Sequence, residues 1–315
     1  MILVCRHLDS PPGRIMPSSH QPVLMEQVLE ALQPQRGGFF VDATVGGGGH
    51  SHAILSANPD LRLLAVDRDA QALERAKERL AEFGDRVMFA HAPFSAVVSL
   101  VEAVHSGKVD GILADFGVSS DQIDDRERGF SFMQDGPLDM RMDRTKQKTS
   151  AARLLADSSE DEIERWLREY GEERFARRIA HAIVKQRRFG PILRTSQLAD
   201  LVGRTIPSGR SGHHVATRTF QGIRIAVNRE LDEIDAFLQV TPQLLADGGR
   251  LAVISFHSLE DRACKIALRN EARGGDFKNL IPRGETANKS EIRQNPRSRS
   301  ARIRAIERLP EGGQA

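Results

Sequence analysis

The sequence predicts a doubly wound α/β sheet interrupted by an inserted all-helical domain. Three observations predict it. Continuous apolar runs alternate with amphipathic stretches four times before residue 120, as parallel strands covered on both faces require. Four glycines, Gly46 to Gly49 in VDATVGGGGHSHAIL (41–55), separate the first apolar run from a helix start. From 121 to 229 only helical spacing appears, after which the strand signature returns.

Leu24, Val28, Leu29 and Leu32 recur at helical spacing and Gly37 closes the segment, so 22–34 reads as a helix. FFVDA (39–43) is a short buried strand, and His50 to Ala57 the next helix. LRLLAVD (61–67) is a second strand. Asp69 can cap a helix carrying Leu73, Ala76, Leu80 and Phe83, and RVMFA (86–90) and VDGILAD (109–115) follow as strands with a helix between. In the insert, Ser159 with Glu162 makes a capping box before Ile163, Trp166 and Leu167. Helical spacing continues through Phe175, Ile179 and Ile183, then Leu198, Leu201 and Val202. Phe220, Ile223, Val227, Leu231, Ile234 and Leu238 predict one long helix back to the sheet. RLAVISF (250–256) is a strand and 258–270 a helix. Residues 273–300, rich in Gly, Arg, Asn and Ser, read as a mobile loop before an amphipathic strand at 300–308. The core is therefore expected at 18–120 and 230–309, with a disordered extension at 1–17 and a tail at 310–315.

The 315 residues, 40% hydrophobic, suit about two domains. No apolar run approaches a membrane span of roughly 18–20 residues, and MILVCRH meets charge too early for a secretory core. A cytoplasmic location and no membrane partner are expected. Cys5 and Cys264 lack the spacing of a disulfide framework or zinc site, and His50 and His52 have no third ligand at suitable spacing, so no metal is expected. Residues 1–173 hold 19 Lys/Arg against 29 Asp/Glu, whereas 174–224 hold 11 against 1 and 262–308 hold 13 against 5. Such clustering is the footprint of a polyanion partner, and equally of a solvated helix face.

Glycines at the end of a first strand let a ligand approach the backbone and a helix N-terminus. Asp67, about 20 residues further, stands where a carboxylate accepts both hydroxyls of a ribose. The dinucleotide pattern G-x-G-x-x-G/A fails: from Gly46 it meets Ser51, from Gly47 His52. Asp42, just before the glycines, suits the ammonium of S-adenosylmethionine, or is a turn-forming carboxylate bonding its own backbone.

The chain resembles the ribosomal RNA small subunit methyltransferase H family. HQPVLMEQVLEAL (20–32), VDATVGGGGHS (41–51), LAVDRD (64–69), DGILADFGVSSDQIDDRERGFSFMQDGPLDMRMD (110–143), YGEERFARRIAHAIV (170–184), ATRTFQGIRIAVNREL (216–231) and GGRLAVISFHSLEDR (248–262) carry the resemblance. It implies a Rossmann-like sheet, S-adenosylmethionine as cofactor, and methylation of a cytosine N4 amine in 16S rRNA near the decoding centre of the small ribosomal subunit. It also implies that Gly48, Gly49, His50, Asp67, Phe94, Asp115 and Gln122 hold the cofactor. For Phe94 a plain core aromatic is the competing reading.

An exocyclic amine attacking a methyl sulfonium needs an acceptor for its N–H groups, and Asp115 at the fourth strand's end is the candidate. Typical amino-methyltransferases carry Asp/Asn-Pro-Pro-aromatic there, whereas this chain reads Asp115-Phe116-Gly117-Val118, so positioning the cofactor is the second reading of Asp115. Carbon-5 methylation needs a thiolate, and Cys264 reads as a buried structural thiol. Arg177, Arg178, Arg218 and Arg224 are the candidate phosphate contacts. His257 and Arg262 are candidates for flanking the amine, although Ser258 with Asp261 also makes a plain capping box. Translation beginning at Met16 is a further expectation, with a disordered tail as its alternative. Two competing functions are a nicotinamide oxidoreductase, which lacks its last glycine here, and an RNA-binding assembly factor with a vestigial cofactor pocket.

Overall fold

The computed structural model describes residues 22–206 and 215–310. The extension at 1–17, the start at Met16, Cys5 and residues 311–315 lie outside the described residues.

The chain opens with α1 (Met25–Leu32) and then β1 (Phe39–Asp42), α2 (Gly49–Ser56), β2 (Arg62–Asp67), α3 (Ala70–Arg79), β3 (Val87–His91), α4 (Val97–Val104) and β4 (Val109–Asp115). A short α5 (Ser120–Asp124) leads into the helical segment: α6 (Ala151–Asp157), α7 (Glu160–Glu169), α8 (Ala176–Arg187), α9 (Thr195–Thr205) and α10 (Thr217–Asn228). The return runs through α11 (Glu230–Val240), β5 (Leu245–Ser255), α12 (Ser258–Gly274), β6 (Phe277–Asn279), β7 (Glu285–Thr286), α13 (Lys289–Gln294) and β8 (Arg302–Arg308).

The sheet order is β3-β2-β1-β4-β5-β8-β6, with β7 also paired to β8. The first five strands in sequence are parallel, and β8 runs antiparallel to β5. Because successive strand residues point to opposite faces, each continuous apolar run feeds two cores. Phe40, Leu63, Leu113 and Ala252 pack on one face with α1, α2 and α3. Val41, Leu64, Ile112 and Val253 pack on the other with Ile234 and Phe237 of α11. A third cluster lies within the helical segment, with Trp166, Ile179, Leu198 and Phe220 among its members.

Four expectations are corrected. The single helix through 220–238 is two, because Arg229 adopts the left-handed region (φ 52°) between α10 and α11. Asn228 holds that break from both sides: its Nδ2 donates to the carbonyls of Met140 and Arg224, and its Oδ1 accepts from Met142 N–H at 2.8 Å. The mobile loop at 273–300 is structured, since β6 and β7 pair with β8 and Asn288 caps α13. The strand β8 is buried through Ile303–Ile306 rather than amphipathic, and Asp261 neutralises Arg304 within it (Nε–Oδ1 2.8 Å). At the start of α12 the capping box is His257 with Glu260, not Ser258 with Asp261. The Asp69 cap on α3 and the Ser159–Glu162 box on α7 form as the sequence predicts.

Candidate active site

A parallel sheet binds ligands beyond its strand C-termini where the order reverses, here between β1 and β4. A cavity of about 340 Å³ opens there. Its walls come from the turn after β1 (Thr44, Val45, Gly46, Gly47), the end of β2 (Asp67), and the end of β4 with its following loop (Asp115 to Gln122). Phe94, Arg224, Phe256 and Arg297 complete them.

The glycine turn is shaped by its own carboxylate. Gly46 (φ +53°) sits in the left-handed region, and its N–H donates to Asp67 Oδ2 at 2.8 Å while Asp69 N–H donates to Oδ1 at 2.8 Å. A Cβ on Gly46 would reach only Thr44 O, at 3.9 Å, so the space above it is open. Burial pushes the Asp67 carboxyl up to about 6 despite those two donors. Gly49 lines the cavity and packs on Pro22, whose Cγ would lie 2.3 Å from a Cβ there. Gly48 differs from expectation. It packs against Ala76 and Leu80 of α3, its N–H donates to Val45 O at 2.8 Å, and it is not among the lining residues.

Asp42 is also absent from the lining. Its Oδ1 accepts from Thr44 N–H at 3.2 Å and its Oδ2 from Ser51 Oγ at 2.6 Å, so the turn-forming reading holds over the ammonium-binding one. Burial holds its carboxyl up at about 6.

Asp115 closes β4. Its N–H donates to Thr44 Oγ1 at 2.6 Å, which joins the β1 and β4 ends. Its Oδ1 is buried without a hydrogen-bond partner among the described residues, and His50 Nδ1 stands 3.9 Å from Oδ2. Burial, then the negative charges of Asp42 and Glu260, raise this carboxyl well above the usual carboxylate range. The ring of His50 is fixed from its other nitrogen, 2.9 Å from Val23 O.

Gln122 lines the cavity, but its amide serves the protein: Nε2 donates to Asp69 Oδ2 at 2.9 Å and Oε1 accepts from Ser119 N–H at 3.0 Å. Phe94 lines the cavity and also packs on Phe116 and Phe237 at centroid distances of 5.4 and 5.5 Å.

The basic candidates divide. Arg177 and Arg178 on α8 and Arg218 on α10 are exposed. Arg262 is exposed beside Glu172, at 3.7 Å. Arg224 is not a surface cation: it is half-buried, lines the cavity, and forms a two-point ion pair with Glu230. His257 is not a lining residue; its Nε2 lies 3.1 Å from Glu260 Oε1. Glu230, His257 and Glu260 bring ligand-type atoms within 4.8 Å of one another, with the Arg224 guanidinium as the cation already among them.

Sequence reasoning missed several lining residues. Gly46 and Gly47 were within reach of the glycine signal, one turn earlier than the residues chosen. Phe256, directly after a strand, carried a weaker signal. Arg297 comes from the segment read as a loop, and nothing local marks it.

Bare backbone at the switch point, the Asp67 carboxyl at the end of β2 and an unpartnered Asp115 oxygen at the end of β4 line one cavity, a donor set that fits an adenosyl sulfonium. They define a Rossmann-like, S-adenosylmethionine-dependent methyltransferase. Residues 17–309 match the MraW methylase family. A ribosomal RNA small subunit methyltransferase H of Cyanothece sp. is 49% identical over 292 residues, covering 92% of this chain and 95% of that one. The same-named protein of Thioalkalivibrio sulfidiphilus is 48% identical over 310 residues, covering 92% and 98%. A Streptococcus mutans methyltransferase solved with SAH aligns over 92% of this chain and 100% of that one, at 12% identity and TM-score 0.41. The chain belongs to the MraW methylase family. Among the described residues no helix is long and apolar enough to cross a membrane.

Proposed function

We propose that this protein transfers the methyl group of S-adenosylmethionine to the N4 amine of a cytosine in 16S rRNA. Relatives at 48–49% identity are named for small-subunit ribosomal RNA methylation, which supports the substrate class. The observation that carries the amine reading is Asp115: a cavity-lining carboxyl with one oxygen unpartnered. Leaving such a group unpaired costs on the order of 1–3 kcal/mol, and an amine N–H relieves it.

When bound, the cofactor supplies a methyl group on a positive sulfonium. Asp67 would accept the ribose hydroxyls and the Gly46–Gly47 backbone would hold the adenosyl group. Asp115 accepts an N4–H, which holds the nitrogen in line and draws electron density toward it; as the N–C bond forms and the methyl–sulfur bond breaks, releasing the neutral thioether, the surplus proton passes to the Asp115 carboxylate. The burial that raises this acid makes its ionised form a stronger proton acceptor, and the sulfonium charge favours that ionised form before transfer. The carbon-5 reaction has no comparable support. Cys264 is fully buried, is not a lining residue, and burial pushes its thiol far up. Arg177, Arg178 and Arg218, exposed on α8 and α10, serve as phosphate contacts, and Arg262 shares the neighbour Glu172 with Arg218.

Labelled S-adenosylmethionine added to small subunits from cells lacking the protein tests this reading. Label on a cytosine amine with wild type, reduced at least 100-fold by Asp115→Ala, is expected; label on carbon 5 or no label overturns it.

A further inference from the structure

Arg224 and Glu230 are six residues apart. On a continuous helix such residues point about 120° away from each other and do not meet. They meet here because Arg229, left-handed at φ 52° and ψ 41°, ends α10 and turns Glu230 back. The pairing is two-point: Nε to Oε1 at 2.9 Å and Nη2 to Oε2 at 2.8 Å, with 15% and 6% of the two side chains exposed. Such a pair fixes the plane of a guanidinium. It leaves the Nη1 donors uncommitted to Glu230, on a side chain that lines the cavity together with Asp115 and Phe256.

The charge of Glu260 acts on both Arg224 and Asp115. Glu260 is fully buried; burial works to neutralise it, but His257, Arg224 and the Phe256 N–H hold its carboxyl below its ordinary value. The same charge strengthens Arg224's hold on its proton and raises Asp115. The cavity lining therefore presents a fixed donor-only group and a carboxyl with a free acceptor.

A cytosine pulled from its stack shows, in a row, the N4 amine as donor and N3 and O2 as acceptors. We propose that Arg224 reads the N3–O2 acceptor pair while Asp115 takes the amine, and that Glu230 is the positioning residue that aims the guanidinium. The substrate base is thereby recognised as cytosine: uracil would set its N3–H donor against the guanidinium and leave both unpaired. The inference rests on the amine-methylation reading above and adds the residue that chooses the base.

The test uses full-length protein and small subunits rebuilt with cytidine or 3-deazacytidine at the methylated position, so that N3 is replaced by C–H. The ratio of kcat/KM on the two substrates is compared between variants, which cancels the intrinsic effect of the ring change. Wild type is expected to show a ratio larger by about 10–100-fold than Arg224→Met, whose cytidine activity is already reduced. Glu230→Gln is expected to shrink the ratio while leaving S-adenosylmethionine affinity within about twofold of wild type, which a merely structural loss would not do. Because Arg224→Met strands a buried Glu230, the double variant Arg224→Met/Glu230→Gln is measured alongside, and the same collapsed ratio is expected. A ratio unchanged in these variants, with wild type still methylating the cytosine amine, overturns the role of Arg224 alone. Wild type that methylates no cytosine amine overturns the amine reading and this inference with it.

Discussion

Arg128 and Asp69 meet at 2.7 Å with 3% and 4% of their side chains exposed, and the pair fastens the helical segment to the strand end that carries Asp67. The other arm of the guanidinium donates to the carbonyls of Arg141 and Met142 at 3.2 and 2.9 Å. Asp69 meanwhile caps α3 through Gln71 N–H and accepts from Gln122. Arg128→Met leaves a buried carboxylate with its main partner gone. A loss of about 3–5 kcal/mol in urea unfolding is expected; a loss under about 1 kcal/mol would show that the two parts are held elsewhere.

The carboxyl of Asp67, raised to about 6 by burial, makes cofactor binding depend on pH. Ribose hydroxyls donate to the ionised form, so binding favours ionisation and weakens as pH falls through about 6. The dissociation constant, followed by calorimetry, should be flat above about pH 7 and rise by up to about tenfold per unit below 6. Asp67→Asn should bind weakly and lose that part of the slope.

Asp42 titrates in the same range but touches no ligand space, and its effect is on stability. Its folded pKa lies above its unfolded value of 3.8, so the fold holds a proton that the unfolded chain releases, and stability falls as pH rises through about 4 to 6. Asp42→Asn keeps an acceptor for Ser51 and removes that charge. Thermal unfolding should show it stabilised by about 1–3 kcal/mol at pH 8, with the gain fading below pH 6 and absent below about 4. A variant less stable than wild type at pH 8 would contradict this.

At Gly46 a methyl group would enter open space above a left-handed backbone. Gly46→Ala should fold with a cost of about 1 kcal/mol and weaken S-adenosylmethionine binding at least tenfold. Unchanged affinity would place the adenosyl group away from this turn.

Replacing Arg177 and Arg178 by Gln should leave cofactor affinity alone and flatten the plot of log binding constant against log salt for small-subunit RNA by about 1–2. An unchanged slope would place the phosphate contacts on another face.

Much of the sheet was legible because its signals are local. FFVD, RLLAVD and VDGILAD are apolar runs of strand length whose residues alternate between two covered faces. Ser159 and Asp69 are capping side chains one turn from the groups they satisfy. The polar stretch 273–300 was misread because its strands exist only by pairing with β8, which lies well beyond them in the chain. Arg224 reads as a phosphate contact for a related reason: the sequence shows its charge but not the helix break that pairs it with Glu230, held by Asn228 reaching Met140 and Met142.

By itself, the amino-acid sequence determined the doubly wound order, the glycine turn and the acids at the ends of β2 and β4. Each depends on residues adjacent in the chain and on the alternation of a strand. Only the tertiary structure decided which of those groups line the cavity. Asp42 is taken up by Thr44 N–H and Ser51 Oγ, and Gly48 by Val45 O and its packing on Ala76 and Leu80 of α3. Asp115 kept a free oxygen because no packed element among the described residues supplies it a donor. Arg224 entered the cavity because a left-handed residue folded Glu230 back onto it. Hydrogen-bond satisfaction is settled by contacts across the whole molecule, and local sequence pattern carries no record of them.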